Sequence, residues 1–232
     1  MVDAGFSRRE TLRRMQQVGE SPDRVQALLI SHEHSDHIRG LPMLNKHHRW
    51  PVYLNHGTNE ALAELQAAPE AAELFVTGRP FTIGDIEVTA FTIPHDATDP
   101  VAFTFLVEGV RIAVVTDLGY MPENVKDSIR GADCLVLESN HDLDMLKVGP
   151  YPWSLKQRVM GRLGHLSNDG AAGFLQEGFD GRAACIVLAH LSENNNVPEL
   201  ARLCAEQALA ARGLTPRVEV ASQTQPLEPI LF

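Results

Sequence analysis

Long hydrophobic runs, a signal peptide and a basic charge balance are all missing from this 232-residue sequence. No segment approaches the ~18 consecutive apolar residues that a membrane-spanning helix requires, and the first residues lack a basic-then-apolar leader pattern. We therefore expect a cytoplasmic protein that does not enter a membrane.

Cysteine is scarce, with only three residues in the chain. Cys134, Cys185 and Cys204 are far apart and never form a C-x-x-C pair, which excludes a disulfide framework and a thiolate metal site. We expect them to be small, buried or half-buried apolar residues in a reducing compartment.

The charge balance is acidic, because 20 Lys and Arg face 30 Asp and Glu for a net charge of −10. Proteins that grip nucleic acid over a broad surface use Lys and Arg to neutralise phosphates, so such a surface is excluded. Any contact with nucleic acid must be local or centred on metal.

The chain is long enough to bury a substantial core, since 44% of its 232 residues are hydrophobic. It contains no internal repeat, low-complexity tract or long linker. We predict a single domain over residues 1–232.

Hydrophobic patterning predicts strands in two groups with helices between and after them. The run VQALLIS (Val25–Ser31) predicts a buried strand, and alternation over 80–117 predicts several strands with a tight turn at Gly109. A helix over 57–68 has Thr58 or Asn59 as its candidate N-cap. The remaining elements are predicted helices at 36–48, 122–131, 169–176 and 197–212, and strands at 51–55, 134–137 and 183–189 and in the final RVEVAS. This order favours an α+β fold in four αββα layers.

The predicted strand at Val25–Ser31 leads into three histidines and an aspartate within six residues, HEHSDH. His32 and His34 lie two apart on an extended segment and can reach one ion, whereas Asp36 and His37 lie past a bend and can reach a second. Imidazole with carboxylate suits Zn²⁺ first, with Mn²⁺ or iron as alternatives. The competing interpretation is a polar surface loop, which a buried strand entering the cluster disfavours.

The spacing HxHxDH after a strand resembles the signature of the metallo-β-lactamase superfamily. That resemblance implies three further ligands, each after a strand: His95, Asp117 and His190. Alone, each would more often be a hydrogen-bonded structural residue. The implied arrangement gives one metal His32, His34 and His95 and the other Asp36, His37 and His190, with Asp117 shared between them.

Two such cations, ~3.5–4 Å apart, can hold a hydroxide at neutral pH, bind a phosphoryl oxygen and stabilise the charge that develops during attack. This chemistry is hydrolysis without a covalent intermediate. The sequence has no G-x-S-x-G nucleophile motif to compete with it.

The superfamily has many substrates, so other residues must indicate the branch. Glu138 after a strand and His165 at the start of a helix resemble the Glu and His pair of phosphodiesterase members such as ribonuclease Z. The resemblance implies catalytic roles for Asp36, Glu138 and His165, with His165 acting on the leaving oxygen and Glu138 orienting it. The alternative for His165 is a polar residue at the N-terminus of a helix, and the alternative for Glu138 is a salt-bridged residue at the end of a strand. Asn140 and His141 either line the pocket or satisfy backbone groups.

Six runs together resemble the YycJ/WalJ group of bacterial metallo-β-lactamase-fold proteins over nearly the whole chain: VDAGFS, ISHEHSDHIRG, PHDATDPVAF, ESNHD, GHLSNDGAA and AHLSENNN. This resemblance implies a metal-dependent DNA exonuclease or related phosphodiesterase, with DNA as the favoured substrate. Ribonuclease Z is a more distant resemblance, because no long clamping insertion is present.

The resemblance also implies two strands and a Ser/Gly-rich turn ahead of VDAGFS, so we expect an N-terminally short domain. It implies that Asp3 supports the metal ligands from behind. A short strand is expected to hold Asp3 poorly.

Two other function classes remain open. A thioesterase of the glyoxalase type or a lactonase would use the same ligands and suit the acidic balance, but gives Glu138 and His165 no evident task. A non-catalytic metal-binding remnant is the other class. The sequence leaves the oligomeric state open.

Overall fold

The computed structural model describes Met1–Phe232 and divides into two compact units. The first contains Met1–Thr92, Ala97–Phe103 and Pro226–Phe232, and the second contains Ile93–Asp96 and Thr104–Gln225. None of the helices combines the length and apolar character that crossing a bilayer needs. The single-domain organisation over 1–232 stays a prediction.

The first unit has a three-stranded parallel sheet and a β-hairpin. Its sheet has the order β1-β2-β3, with Leu28 opposite Val52 and Leu29 opposite Tyr53. Strands β4 and β5 pair antiparallel. The helices are α1 (Arg8–Gln17), α2 (Ser35–Ile38), α3 (Leu41–His48) and α4 (His56–Glu64), with a 3-10 turn at Pro22–Arg24, and the strands are β1 (Leu28–Leu29), β2 (Val52–Leu54), β3 (Ala72–Leu74), β4 (Pro80–Ile83) and β5 (Ile86–Thr92).

The core of this unit lies behind the histidine cluster. Leu28 and Ile30 from the β1 segment pack with Leu41 and Leu44 of α3 and with Leu62 of α4, and all five are fully buried. Burying one such side chain contributes roughly 1.5–3 kcal/mol. The segment that carries the cluster is therefore held on a packed base.

The single helix predicted over 36–48 is two helices in the structure, because the helix is interrupted at Gly40. A Cβ at Gly40 would lie 1.9 Å from Phe6 O, so only glycine allows this close approach. The predicted cap of α4 was also wrong: Asn55 caps the helix, with its Oδ1 accepting from Thr58 N at 2.8 Å. The strand predicted over Val25–Ser31 forms ladder pairs only at Leu28–Leu29.

The second unit contains four adjacent parallel strands in the order β7-β8-β9-β10. Strand β6 (Val101–Val107) enters this unit from the first, and the predicted reversal at Gly109 is confirmed, with φ of 83° at Gly109. The other strands are β7 (Val110–Val115), β8 (Cys134–Glu138), β9 (Cys185–Ala189) and β10 (Arg217–Val220), and the helices are α5 (Glu123–Ile129), α6 (Leu143–Val148), α7 (Trp153–Val159), α8 (Asn168–Glu177) and α9 (Pro198–Ala210).

Parallel pairing brings the carboxyl ends of these strands to one edge of the sheet. Asp117 follows β7, Glu138 ends β8, and His190 follows β9 directly. The cysteines are free, as predicted, and Cys134 and Cys185 are buried opposite each other on β8 and β9. The sheet therefore presents polar groups at this edge and apolar side chains along its length.

Candidate metal centre and acid–base pair

The HEHSDH cluster sits where β1 gives way to α2 in the first unit. His32 and His37 are buried, His34 is half-buried and Asp36 is exposed. His32 Nε2 lies 3.1 Å from His34 Nδ1. Two nitrogens bound to one tetrahedral ion at ~2.0–2.1 Å would lie ~3.3 Å apart, so this pair has the spacing of two ligands of one ion.

Asp3 orients two of these histidines through one carboxylate. Its Oδ2 accepts from Ser31 Oγ and from His37 Nδ1, each at 2.8 Å, and its Oδ1 accepts from Ser31 N at 2.8 Å. Ser31 Oγ also lies 2.9 Å from His32 Nδ1. Because the Ser31 hydroxyl already donates its proton to Asp3, His32 Nδ1 is the donor in this second hydrogen bond. His32 and His37 therefore present Nε2, the arrangement that metal-ligating histidines adopt.

The expectation that a short strand holds Asp3 poorly was wrong. Asp3 N donates to Leu29 O at 2.8 Å, and Leu29 N donates to Met1 O at 2.9 Å, so the first residues pair with the β1 segment. The backbone of Asp3 is left-handed, with φ of 55°, a conformation that Asp and Asn tolerate better than most residues. These two hydrogen bonds place the Asp3 carboxylate beside Ser31 and His37.

Asp36 lies in the first turn of α2, with its side chain 63% exposed and Oδ2 3.6 Å from His37 Nε2. The turn is packed against the N-terminal segment, because Ala4 N donates to His37 O at 2.6 Å. A Cβ at Gly5 would lie 1.5 Å from Asp36 O. Glycine at position 5 therefore permits the backbone approach that sets this turn.

His95 is a buried histidine of the second unit. Its Nδ1 donates to Gly164 O at 3.1 Å, so Nε2 is the nitrogen left to act as an acceptor. That Nε2 lies 3.6 Å from Asp96 Oδ1 and 3.9 Å from Asp117 Oδ1. An acceptor nitrogen facing carboxylate oxygens suits a cation between them.

Asp117 follows β7 and His190 follows β9, the two strands that flank β8, and His190 Nδ1 lies 3.5 Å from Asp117 Oδ1. Both have left-handed backbones, with φ of 63° and 59°. Such a conformation costs roughly 1–3 kcal/mol for a residue with a side chain and concentrates at functional sites. The fold therefore maintains strain at the two predicted ligands.

Glu138 is completely buried, and both of its oxygens are used. Oε1 accepts from His165 Nδ1 at 2.8 Å and His190 Nδ1 at 2.9 Å. Oε2 accepts from the backbone amides of Leu118 at 2.9 Å and Leu166 at 3.1 Å. Burial raises the pKa of Glu138, but the hydrogen bonds from His165 and His190 outweigh it and hold that pKa below its ordinary value.

This saturation makes Glu138 an orienting group. Ligand atoms of Asp117, Glu138, His165 and His190 all lie within 4.8 Å of one another. An ion held by Glu138 would displace hydrogen bonds that its oxygens already accept. Asp117 and His190 are therefore the better candidates for metal ligands in this group.

His165 is half-buried beside Glu138, with 23% of its side chain accessible, the same fraction as His190. Burial lowers the pKa of His165, but the hydrogen bond to Glu138 outweighs it and raises that pKa above its ordinary value. The proton on Nε2 is thereby stabilised. Such a histidine suits proton donation.

The two residues left open by the sequence have different positions. Asn140 Nδ2 donates to His190 O at 2.7 Å and so satisfies the backbone of a strained position. His141 is buried and lines a pocket with His165. Ser31, which links Asp3 to His32, was missed by sequence reasoning, and its only signal is its place directly before the cluster.

Residues 1–190 match the family model described as the β-lactamase superfamily domain. The chain belongs to this superfamily. It is 39% identical over 215 residues to exodeoxyribonuclease YycJ of Bacillus anthracis, covering 92% of this chain and 81% of that protein. It is 34% identical over 218 residues to exodeoxyribonuclease WalJ of Streptococcus pneumoniae serotype 2, with the same two coverages. The predicted resemblance to the YycJ/WalJ group is confirmed.

A solved relative supports the fold of this superfamily member. The metallo-β-lactamase fold protein YhfI from Bacillus subtilis superposes with a TM-score of 0.73 at 20% identity, covering 97% of this chain and 84% of that one. The predicted metallo-β-lactamase fold, with mixed helices and sheets, is confirmed.

Proposed function

We propose that this superfamily member is a metal-dependent phosphodiesterase, a DNA exonuclease-like hydrolase that uses two divalent ions. The hydrogen bond between Glu138 and His165 at 2.8 Å, beside Asp117 and His190, is the observation that carries the proposal. A histidine oriented by a buried carboxylate suits protonation of a leaving alkoxide. The exodeoxyribonuclease names of the two relatives support DNA as the substrate.

Seven residues are the proposed ligands of the two ions. His32, His34 and His95 would hold one ion, and Asp36, His37 and His190 the other, with Asp117 shared. Four of the five histidines engage Nδ1 in a hydrogen bond within their own unit, to Ser31, Asp3, Gly164 O or Glu138. Nε2 is then the proposed ligand atom. Nitrogen and carboxylate donors suit Zn²⁺ first, with Mn²⁺ or iron as alternatives.

When bound, the ions would supply Lewis acidity and lower the pKa of a water. Asp36, exposed beside His37, would accept the proton of the attacking water. As the water oxygen bonds to phosphorus, the bond to the leaving oxygen breaks, and His165 Nε2 delivers its proton to that oxygen. Glu138 stabilises the charged His165 before transfer and keeps Nδ1 protonated after it.

Three substrates separate the function classes. Purified protein loaded with Mn²⁺ or Zn²⁺ is given bis-p-nitrophenyl phosphate, end-labelled duplex DNA or a glutathione thioester. We expect both phosphodiesters to be hydrolysed and the DNA to shorten from an end, with chelator abolishing both reactions. Turnover of the thioester alone would overturn the proposal, and bound metal without any turnover would favour the non-catalytic class.

The ligand assignment has a matched control. His37→Ala should lower the metal content of the purified protein, whereas His56→Ala removes a histidine with 75% of its side chain exposed and should not. Elemental analysis after gel filtration measures both. Equal metal content in the two variants would contradict the assignment of His37.

A further inference from the structure

The second unit contains a pocket of about 240 Å³ beside the Glu138–His165 pair. Its walls include Tyr120, Met121, His141, Leu143, Met160 and His165. We infer that this pocket binds the terminal nucleoside of the cleaved strand and that His141 is the positioning residue for it. This inference rests on the proposed phosphodiesterase function.

The size of the pocket favours a single nucleoside. Pockets for drug-sized ligands span roughly 300–1,000 Å³, and about 240 Å³ lies below that range. A site of this size next to His165 suits one nucleoside at the end of a strand.

The walls suit a flat, partly apolar ligand. Met121, Leu143 and Met160 supply flexible apolar surface, and Tyr120 supplies an aromatic ring. Stacking of bases on aromatic side chains is worth roughly 1–3 kcal/mol and tolerates any sequence. The wall chemistry therefore fits a nucleobase without selecting one.

His141 supplies the polar contact. It is 1% exposed, and its Nδ1 lies 3.3 Å from Asn140 Oδ1, an acceptor, so Nδ1 carries the proton. Nε2 is then an acceptor, and no protein group donates to it. A buried polar atom left without a partner costs roughly 1–3 kcal/mol, which a ligand donor would recover.

The protonation state of His141 agrees with that role. Burial lowers the pKa of His141 to about 4, so the ring is neutral at neutral pH and Nε2 keeps its lone pair. A sugar hydroxyl is a donor that every nucleoside carries. Accepting from it would position the terminal residue without reading the base.

Arg162 brings an exposed positive charge to the wall of the pocket. Lys147 and Arg158 are paired with Asp144 and Asp96, and Lys156 is buried, so Arg162 is the cation of this segment that can serve a phosphate. The guanidinium of Arg162 lies 4.2 Å from the ring centroid of Tyr120 in the pocket wall. Arg162 can therefore meet the phosphate of the next nucleotide while Tyr120 contacts the terminal one.

Variants of His141 test the assignment against two substrates and one ligand. His141→Phe keeps a planar ring without the acceptor, and His141→Gln restores a polar group. We expect His141→Phe to raise KM for a single-stranded oligonucleotide and Kd for thymidine monophosphate by about tenfold, the loss of one hydrogen bond. The rate loss on bis-p-nitrophenyl phosphate, which has no nucleoside, should be several-fold smaller, and His141→Gln should recover part of the affinity.

An exposed variant guards against misfolding of the buried one. Arg162→Ala should raise KM for the oligonucleotide and weaken its dependence on salt, with Arg130→Ala, exposed on a distant helix end, as the control. Equal losses on both substrates, or oligonucleotide kinetics unchanged in His141→Phe and Arg162→Ala, would overturn the inference. If wild type cleaves neither phosphodiester, the proposed function fails. In that case, calorimetry with thymidine monophosphate on the metal-loaded protein tests nucleoside binding by the pocket separately. Absence of binding, or binding that His141→Phe does not weaken, would reject the inference.

Discussion

Glu138 Oε1 lies 2.8 Å from His165 Nδ1 and 2.9 Å from His190 Nδ1, so one buried oxygen orients two histidines. In the proposed function, one of them donates a proton and the other binds metal. A displacement of Glu138 would therefore disturb both at once. Variants of His165 and of Glu138 separate the two effects.

His165→Ala removes the proposed proton donor and leaves all seven proposed ligands in place. We expect wild-type metal content and phosphodiester cleavage slowed by roughly 10²-fold or more, the usual contribution of a general acid. Initial rates on bis-p-nitrophenyl phosphate and elemental analysis measure the two. His56→Ala, on an exposed helix surface, is the control. An unchanged rate would remove the role of His165.

Glu138→Gln places an amide where two histidines and two backbone amides all donate. An NH₂ group facing donors leaves buried polar atoms unsatisfied, so we expect the free energy of unfolding to fall by about 2 kcal/mol or more. Urea unfolding at neutral pH measures the change, and Glu123→Gln, with an 80% exposed side chain, is the control. Stability equal to wild type would show that the amide is accommodated.

The same variant should alter the response to acid. Burial raises the pKa of Glu138, but the two histidines outweigh it and lower that pKa from 4.5, so the ionised form stabilises the fold above about pH 4.5. That contribution declines as the pH falls through the lowered pKa of the folded state. Wild type should therefore lose more stability than Glu138→Gln between neutral and acidic pH. Parallel pH profiles would contradict this sign.

The sequence predicted the parts of the site that local pattern encodes. The spacing of HEHSDH after a buried segment predicted a metal cluster, and the family resemblance implied His95, Asp117 and His190 as further ligands. The ligand roles of all seven residues stay a prediction. The link from Asp3 through Ser31 to His32 could not, because it joins residues 28 positions apart through long-range pairing. The break at Gly40 likewise depends on the distant Phe6 carbonyl. Glu138 was found by resemblance, but its second histidine partner, His190, was visible only in the structure.

Asp3→Asn tests the support behind the cluster. Asn tolerates the left-handed backbone at this position, with φ of 55°, so the change is confined to the side chain. The neutral amide accepts more weakly from His37 Nδ1 and Ser31, and loss of such a partner lowers metal affinity by roughly 10–100-fold. Competition with a chromogenic chelator measures the affinity. Asp127→Asn, 68% exposed, should match wild type, and an Asp3→Asn affinity within twofold of it would refute the role.

Gly5→Ala and Gly173→Ala form a matched pair of variants. They test whether the close backbone approach at Gly5 shapes the site. A Cβ at Gly5 would lie 1.5 Å from Asp36 O, a backbone atom in the first turn of α2, so Gly5→Ala must displace that turn. We expect a loss of about 2 kcal/mol or more in the free energy of unfolding. Metal affinity should fall with it, because Asp36 and His37 are carried by the displaced turn.

Gly173 lies inside α8, and a Cβ there would meet nothing within 4 Å. Gly173→Ala should therefore stabilise the protein by about 0.5–1 kcal/mol, since alanine loses less backbone entropy in a helix. Its metal affinity should equal that of wild type, because α8 supplies none of the proposed ligands. Urea unfolding with metal titration on both variants checks the pair. The same substitution would then act with opposite sign at the two positions, and a Gly5→Ala protein as stable as Gly173→Ala would show that the Asp36 turn can shift freely.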